Sequence, residues 1–97
     1  MVALKQLIGR HDVVVFVLGY GSVTGDGLGE QYSNDAVRML AALPADRFTT
    51  NVIDVVGSSV MIDDLYALAQ TRSWPKIFVR GAFLGGHAKL AEFIKRL

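Results

Sequence analysis

Trp74-Pro75-Lys76-Ile77-Phe78-Val79-Arg80-Gly81-Ala82-Phe83-Leu84-Gly85-Gly86 is the stretch that decides the fold. Lys76 to Val79 and Ala82 to Leu84 are short runs suited to strands, and only Arg80-Gly81 separates them. Two such runs around a two-residue turn predict an antiparallel hairpin. Pro75 opens the first strand, where a missing N–H is tolerated. Gly85-Gly86 breaks the second strand. Beyond it Leu90, Phe93, Ile94 and Leu97 recur at helical spacing and predict a closing helix.

The pattern upstream is different. Val13-Val14-Val15-Phe16-Val17-Leu18 is a continuous, mostly β-branched run, the signature of a strand buried on both faces. It follows a short helical segment, Val2 to Ile8, with Leu4, Leu7 and Ile8 on one face and Gly9 ending it. A loop from Gly19 to Gly29 holds five glycines. A helix is predicted from about Ser33, a suitable N-cap, to Leu43, with Val37, Leu40 and Leu43 on one side and Pro44 as its stop. Phe48 to Val56 reads as a second strand. Ser58 and Ser59 cap another helix to about Thr71, with Met61, Leu65, Leu68 and Ala69 inward. The order α-β-α-β-α-β-β-α calls for an α/β fold, a four-stranded mixed sheet with helices on both faces. No linker, repeat or low-complexity tract divides the chain, so residues 1–97 are expected to form one domain.

Composition narrows the function classes. The 97 residues are 52% hydrophobic and 20% charged, enough for a core and unlike a disordered chain. Ten Lys and Arg against nine Asp and Glu leave a formal charge of +1 with no basic stripe, which argues against nucleic-acid binding. The apolar run at residues 13–18 is too short to span a bilayer, so no membrane insertion is expected. There is no cysteine. Thiolate metal sites, disulfides and thiol nucleophiles are therefore excluded from this chain's own side chains. His11 and His87 are far apart in sequence without a ligand cluster, so neither a metal nor another cofactor is expected.

With the hairpin, the proline before it and the glycine pair after it, the element order resembles the glutaredoxin form of the thioredoxin fold. Leu4-Lys5-Gln6-Leu7-Ile8 followed by Asp12-Val13-Val14-Val15-Phe16 looks like the opening of a monothiol glutaredoxin. Ser33-Asn34-Asp35-Ala36-Val37-Arg38-Met39-Leu40 resembles that family's active-site helix, and the Trp74–Gly86 segment resembles its hairpin. The resemblance spans essentially the whole chain. It implies a cis-proline at Pro75, with the Trp74 backbone pairing with a ligand. It also places Glu30-Gln31-Tyr32-Ser33 where the family carries Cys-Gly-Phe-Ser, so Glu30 stands at the nucleophile's position. The family's glycine-carboxylate-binding lysine falls near Leu18. Its aspartate for the γ-glutamyl amine falls on Ala88, after His87.

Three contacts thus go missing together: thiol, lysine and aspartate. At a helix N-terminus Glu30 still complements the dipole, but a carboxylate forms no mixed disulfide and replaces no thiolate in iron–sulfur ligation. It reads first as a solvated helix-end carboxylate and only second as a repurposed anion. The glycine-rich loop lacks both a Gly-Lys-Ser/Thr sequence and a complete dinucleotide pattern, and Asp26 and Glu30 oppose phosphate. It reads as an added contact surface. Tyr20, Leu28, Tyr32 and Trp74 are expected to expose apolar area around the former active-site mouth. Tyr20, Trp74, Pro75, Gly85, Gly86 and His87 are the candidate residues for a ligand or a protein partner.

The function expected from this reading is a non-catalytic glutaredoxin-like domain, a structural or protein-interaction module in a larger assembly. The alternative is weak residual binding of glutathione or a related thiol without turnover. The sequence itself does not fix a compartment; the resemblance favours an intracellular one.

Overall fold

The computed structural model describes the backbone of residues 4–18 and 28–97, and the side chains of 4–18 and 34–97. Its elements are α1 (Leu4–Gly9), β1 (Val13–Val17), α2 (Leu28–Met39), β2 (Thr50–Asp54), α3 (Ser59–Ala69), β3 (Lys76–Val79), β4 (Ala82–Gly85) and α4 (His87–Lys95). A 3-10 turn, Leu40–Ala42, extends α2. The expected α/β fold is present as one four-stranded mixed sheet in the order β2-β1-β3-β4.

β1 lies inside the sheet, parallel to β2 and antiparallel to β3, with Val15 opposite both Val52 and Ile77. All five of its residues are fully buried. Successive strand side chains point to opposite faces, and the packing follows that alternation. Val13, Val15 and Val17 join Ala36, Leu43, Phe48, Ile77 and Leu90 on the side of α2 and α4. Val14 and Phe16 join Ile8, Val55, Leu65 and Phe78 on the side of α1 and α3. Each of these side chains except the smaller Ala36 contributes roughly 1.5–3 kcal/mol by leaving water. Phe16 and Phe78 meet edge to face at 5.8 Å across the β1–β3 pair.

Local signals fix several boundaries. Ser58 caps α3 by accepting a 3.4 Å hydrogen bond from the Met61 N–H. Gln70 ends that helix in the left-handed region, and its N–H donates to the Tyr66 carbonyl at 2.8 Å. Arg80 (φ 47°) and Gly81 (φ 87°) give the β3–β4 turn positive φ at both central residues, as a tight hairpin of this hand requires. Arg80 is tied down by Asp12, 3.6 Å from its guanidinium, and lies over the Phe48 ring.

Four expectations needed correction. α2 begins at Leu28 and not at Ser33, so Gly29 belongs to its first turn and not to the loop. Ser33 prefers a cap, but the helix continues through it; cap preference alone does not end a helix. The strand expected over Phe48–Val56 is only Thr50–Asp54, half-exposed at the sheet edge. Leu68 is 42% exposed, because α3 buries the stripe through Leu65 and leaves Leu68 on its flank. Leu97 lies beyond the end of α4 and is exposed. The loop residues 19–27, including Tyr20, lie outside the described residues.

Candidate functional site

The segment between α3 and β3 carries the candidate site. The Trp74–Pro75 peptide bond is cis, and Pro75 is buried. This turns the chain from the end of α3 into β3 and leaves Trp74 half-buried against the cluster containing Phe16 and Phe78. Trp74 is therefore less exposed than the expected apolar mouth required. Gly86, the N-cap of α4, lies beside the turn: a side-chain carbon added there would sit 3.7 Å from the Pro75 carbonyl oxygen. The structure thus brings Trp74, Pro75 and the Gly85-Gly86 pair together.

Gly85 has a stricter requirement. Its φ of 139° disfavours any side chain, and an added carbon would approach Lys89 Cγ to 2.6 Å. His87 is not a cap, as Gly86 holds that position; it is the first, half-buried residue of α4. Ala88 follows on the exposed side. Leu18, at the position where the resemblance implies a lysine, packs partly buried against the cluster with Val14 and Phe16. Glu30, Gln31, Tyr32 and Ser33 lie in the N-terminal half of α2 as backbone; their side chains lie outside the described residues.

Lys76 was missed by sequence reading. It is 1% exposed, the only fully buried charged residue among those described. Its ammonium lies 3.5 Å from the centroid of the Trp74 ring and donates a 3.0 Å hydrogen bond to the Ser73 carbonyl. No carboxylate pairs with it among the described residues. Desolvation brings its pKa down from 10.5 to about 8. The strand period held the clue: Lys76 lies two residues before the inward-facing Phe78, on the same face of β3.

Lys76 and Trp74 form one wall of a cleft of about 500 Å³, completed by Ile62, Asp63, Tyr66 and Arg72. The Arg72 guanidinium sits over the Tyr66 ring at 5.1 Å. Such a volume admits a small molecule. No cluster of three metal-ligating side chains occurs among the described residues, and no described helix is long and apolar enough to cross a membrane.

No family model and no curated protein matches the chain. Solved structures do. Oxidised glutaredoxin 2 from Chlamydomonas reinhardtii is 23% identical, with 96% of this chain and 79% of that one covered and a TM-score of 0.69. A dithiol glutaredoxin from Trypanosoma brucei brucei is 24% identical over 99% of this chain and 90% of that one, with a TM-score of 0.71. A buckwheat glutaredoxin in complex with glutathione is 21% identical over 95% and 76%, with a TM-score of 0.71. At these identities the likeness is one of fold. The sheet order, the cis-proline turn and these neighbours lead to one conclusion: this chain has the glutaredoxin form of the thioredoxin fold and carries no cysteine.

Proposed function

We propose that this protein is a non-catalytic glutaredoxin-like domain that serves as a structural or protein-interaction module within a larger assembly. One observation carries the reading: the glutaredoxin form of the fold, with a cis-proline turn and a glycine pair, is built by a chain with no thiol. Thiol–disulfide exchange proceeds by thiolate attack on a disulfide sulfur, and no side chain here can supply it. Exposed apolar residues support a binding role. Leu68 and Phe83 border a groove of about 300 Å³ with Ile8 and Phe78 between α1, α3 and the hairpin. Size-exclusion chromatography of native extract and affinity capture with the tagged protein test the proposal. The expected result is elution above monomer size with a reproducible partner. A free monomer with no partner would count against it.

A second reading is residual glutathione binding. It draws on the cis turn at Trp74–Pro75 and on the likeness to a glutaredoxin solved with glutathione. Calorimetry with reduced glutathione decides it, and no heat at millimolar ligand would end it.

A further inference from the structure

We propose that the cleft between α3 and the Arg72–Lys76 segment is a binding site for a small organic monocarboxylate with an apolar body. The cleft shares Trp74 with the glutathione reading, but neither Lys76 nor Arg72 stands at a position that the glutaredoxin resemblance assigns to ligand.

Charge is the first argument. Two cations, Lys76 and Arg72, line the cleft against one carboxylate, Asp63. Among the described residues none of the three is joined in an ion pair, so a net positive charge is left without an internal partner. A buried ammonium is destabilising unless an anion and hydrogen bonds compensate it. Lys76 has three N–H donors and spends one on the Ser73 carbonyl. Its remaining donors and the Arg72 fork suit a carboxylate. A monoanion neutralises the cleft, whereas a phosphate dianion would overshoot it beside Asp63.

The walls supply the second argument. Tyr66, Trp74 and Ile62 surround the cations with aromatic and aliphatic surface. Each ring already holds a cation on its face, Arg72 over Tyr66 and Lys76 over Trp74. The rings thus orient the charged heads and leave their edges and Ile62 to cover an apolar ligand body. A few placed polar groups within an apolar lining is the usual makeup of a small-molecule site.

Trp74 is the chain's single tryptophan, so intrinsic fluorescence reports on this cleft directly. The probe is phenylacetate, with phenylacetamide as its uncharged isostere, titrated into the intact protein. Phenylacetate is expected to give a saturable change with an apparent Kd of about a millimolar, as suits so small a ligand. The amide should bind roughly tenfold more weakly, and Lys76→Met should weaken phenylacetate by a similar factor. Arg72→Gln, which alters an exposed residue, gives the same comparison should Lys76→Met fail to fold. Shifts of the Trp74 indole N–H resonance in 1H–15N spectra should follow the same titration. Superposed curves for acid and amide, or no saturable response in either spectrum, would overturn the proposal.

Discussion

Replacing Lys76 by Met tests the central electrostatic feature of the site. Met has similar length and no charge, so it fills the same space beneath Trp74. In the wild type, burial lowers the ammonium pKa from 10.5 to about 8. The unfolded chain therefore keeps a proton that the folded chain releases between those values. Where the unfolded state binds more protons, stability rises with pH. The wild type should thus gain stability relative to Lys76→Met as pH rises from about 8 to about 10.5. The full shift corresponds to about 3 kcal/mol. Screening at the cleft mouth and loss of the Trp74 cation–π contact on deprotonation reduce this to about 1–2 kcal/mol. At neutral pH the two proteins should differ by no more than about 1 kcal/mol. Met relieves the desolvation of the ammonium but forfeits its contact with the Trp74 ring and its hydrogen bond to Ser73, and these effects oppose one another. Urea unfolding of both proteins across this range gives the difference directly, because the two chains are otherwise identical. Parallel stability profiles would refute the reasoning, because a solvated Lys76 would leave no pH-dependent difference.

Gly85→Ala should destabilise by about 1–3 kcal/mol, owing to its positive φ and the approach to Lys89, while Gly86→Ala should cost well under half as much; thermal melts compare them. Leu65→Ala, fully buried under the sheet, should cost about 2–5 kcal/mol in urea unfolding, and Leu68→Ala on the exposed flank less than about 1 kcal/mol. The Asp12 carboxylate accepts a hydrogen bond from the Thr49 N–H at 2.9 Å, which with Arg80 nearby holds its pKa below the usual carboxylate value. Its contribution is present above the unfolded-state pKa and is lost as pH falls through the lower folded value. Asp12→Asn should therefore be less stable at neutral pH, and the gap should close on acidification; a gap that persists in acid would contradict the assignment.

The sheet was readable because its signals are periodic and local. Five consecutive buried residues from Val13 to Val17 admit little besides an interior strand, and the Arg80-Gly81 turn admits little besides a hairpin. Ser58 announced α3 by its own hydroxyl. The start of α2 was hidden because Gly29 discourages helix and Ser33 invites a cap, yet the helix begins at Leu28. Leu68 shows the limit of helical spacing, which gives a stripe but not its width. Lys76 was hidden by its charge. A lysine at a strand start is ordinarily solvated, and only the cis turn that folds Trp74 over it reveals an interior cation. The absence of cysteine, by contrast, needed no structure, since a missing residue type is visible in the sequence itself.

The interior position of β1 has a consequence for biosynthesis. Its partners are Thr50–Asp54 on one edge and Lys76–Val79 on the other, so both edges of Val13–Val17 lack their native hydrogen-bonding partners when that segment is made. A chain emerging from the ribosome gains the β2 edge first and the β3 edge only after most of its length is synthesised. Until then an uncharged, mostly β-branched pentapeptide is open to pairing with its neighbours on other chains. Expression yield should therefore depend on how soon the C-terminal hairpin docks. Truncation before Lys76, which removes β3 and leaves that edge of β1 bare, should send the protein to inclusion bodies.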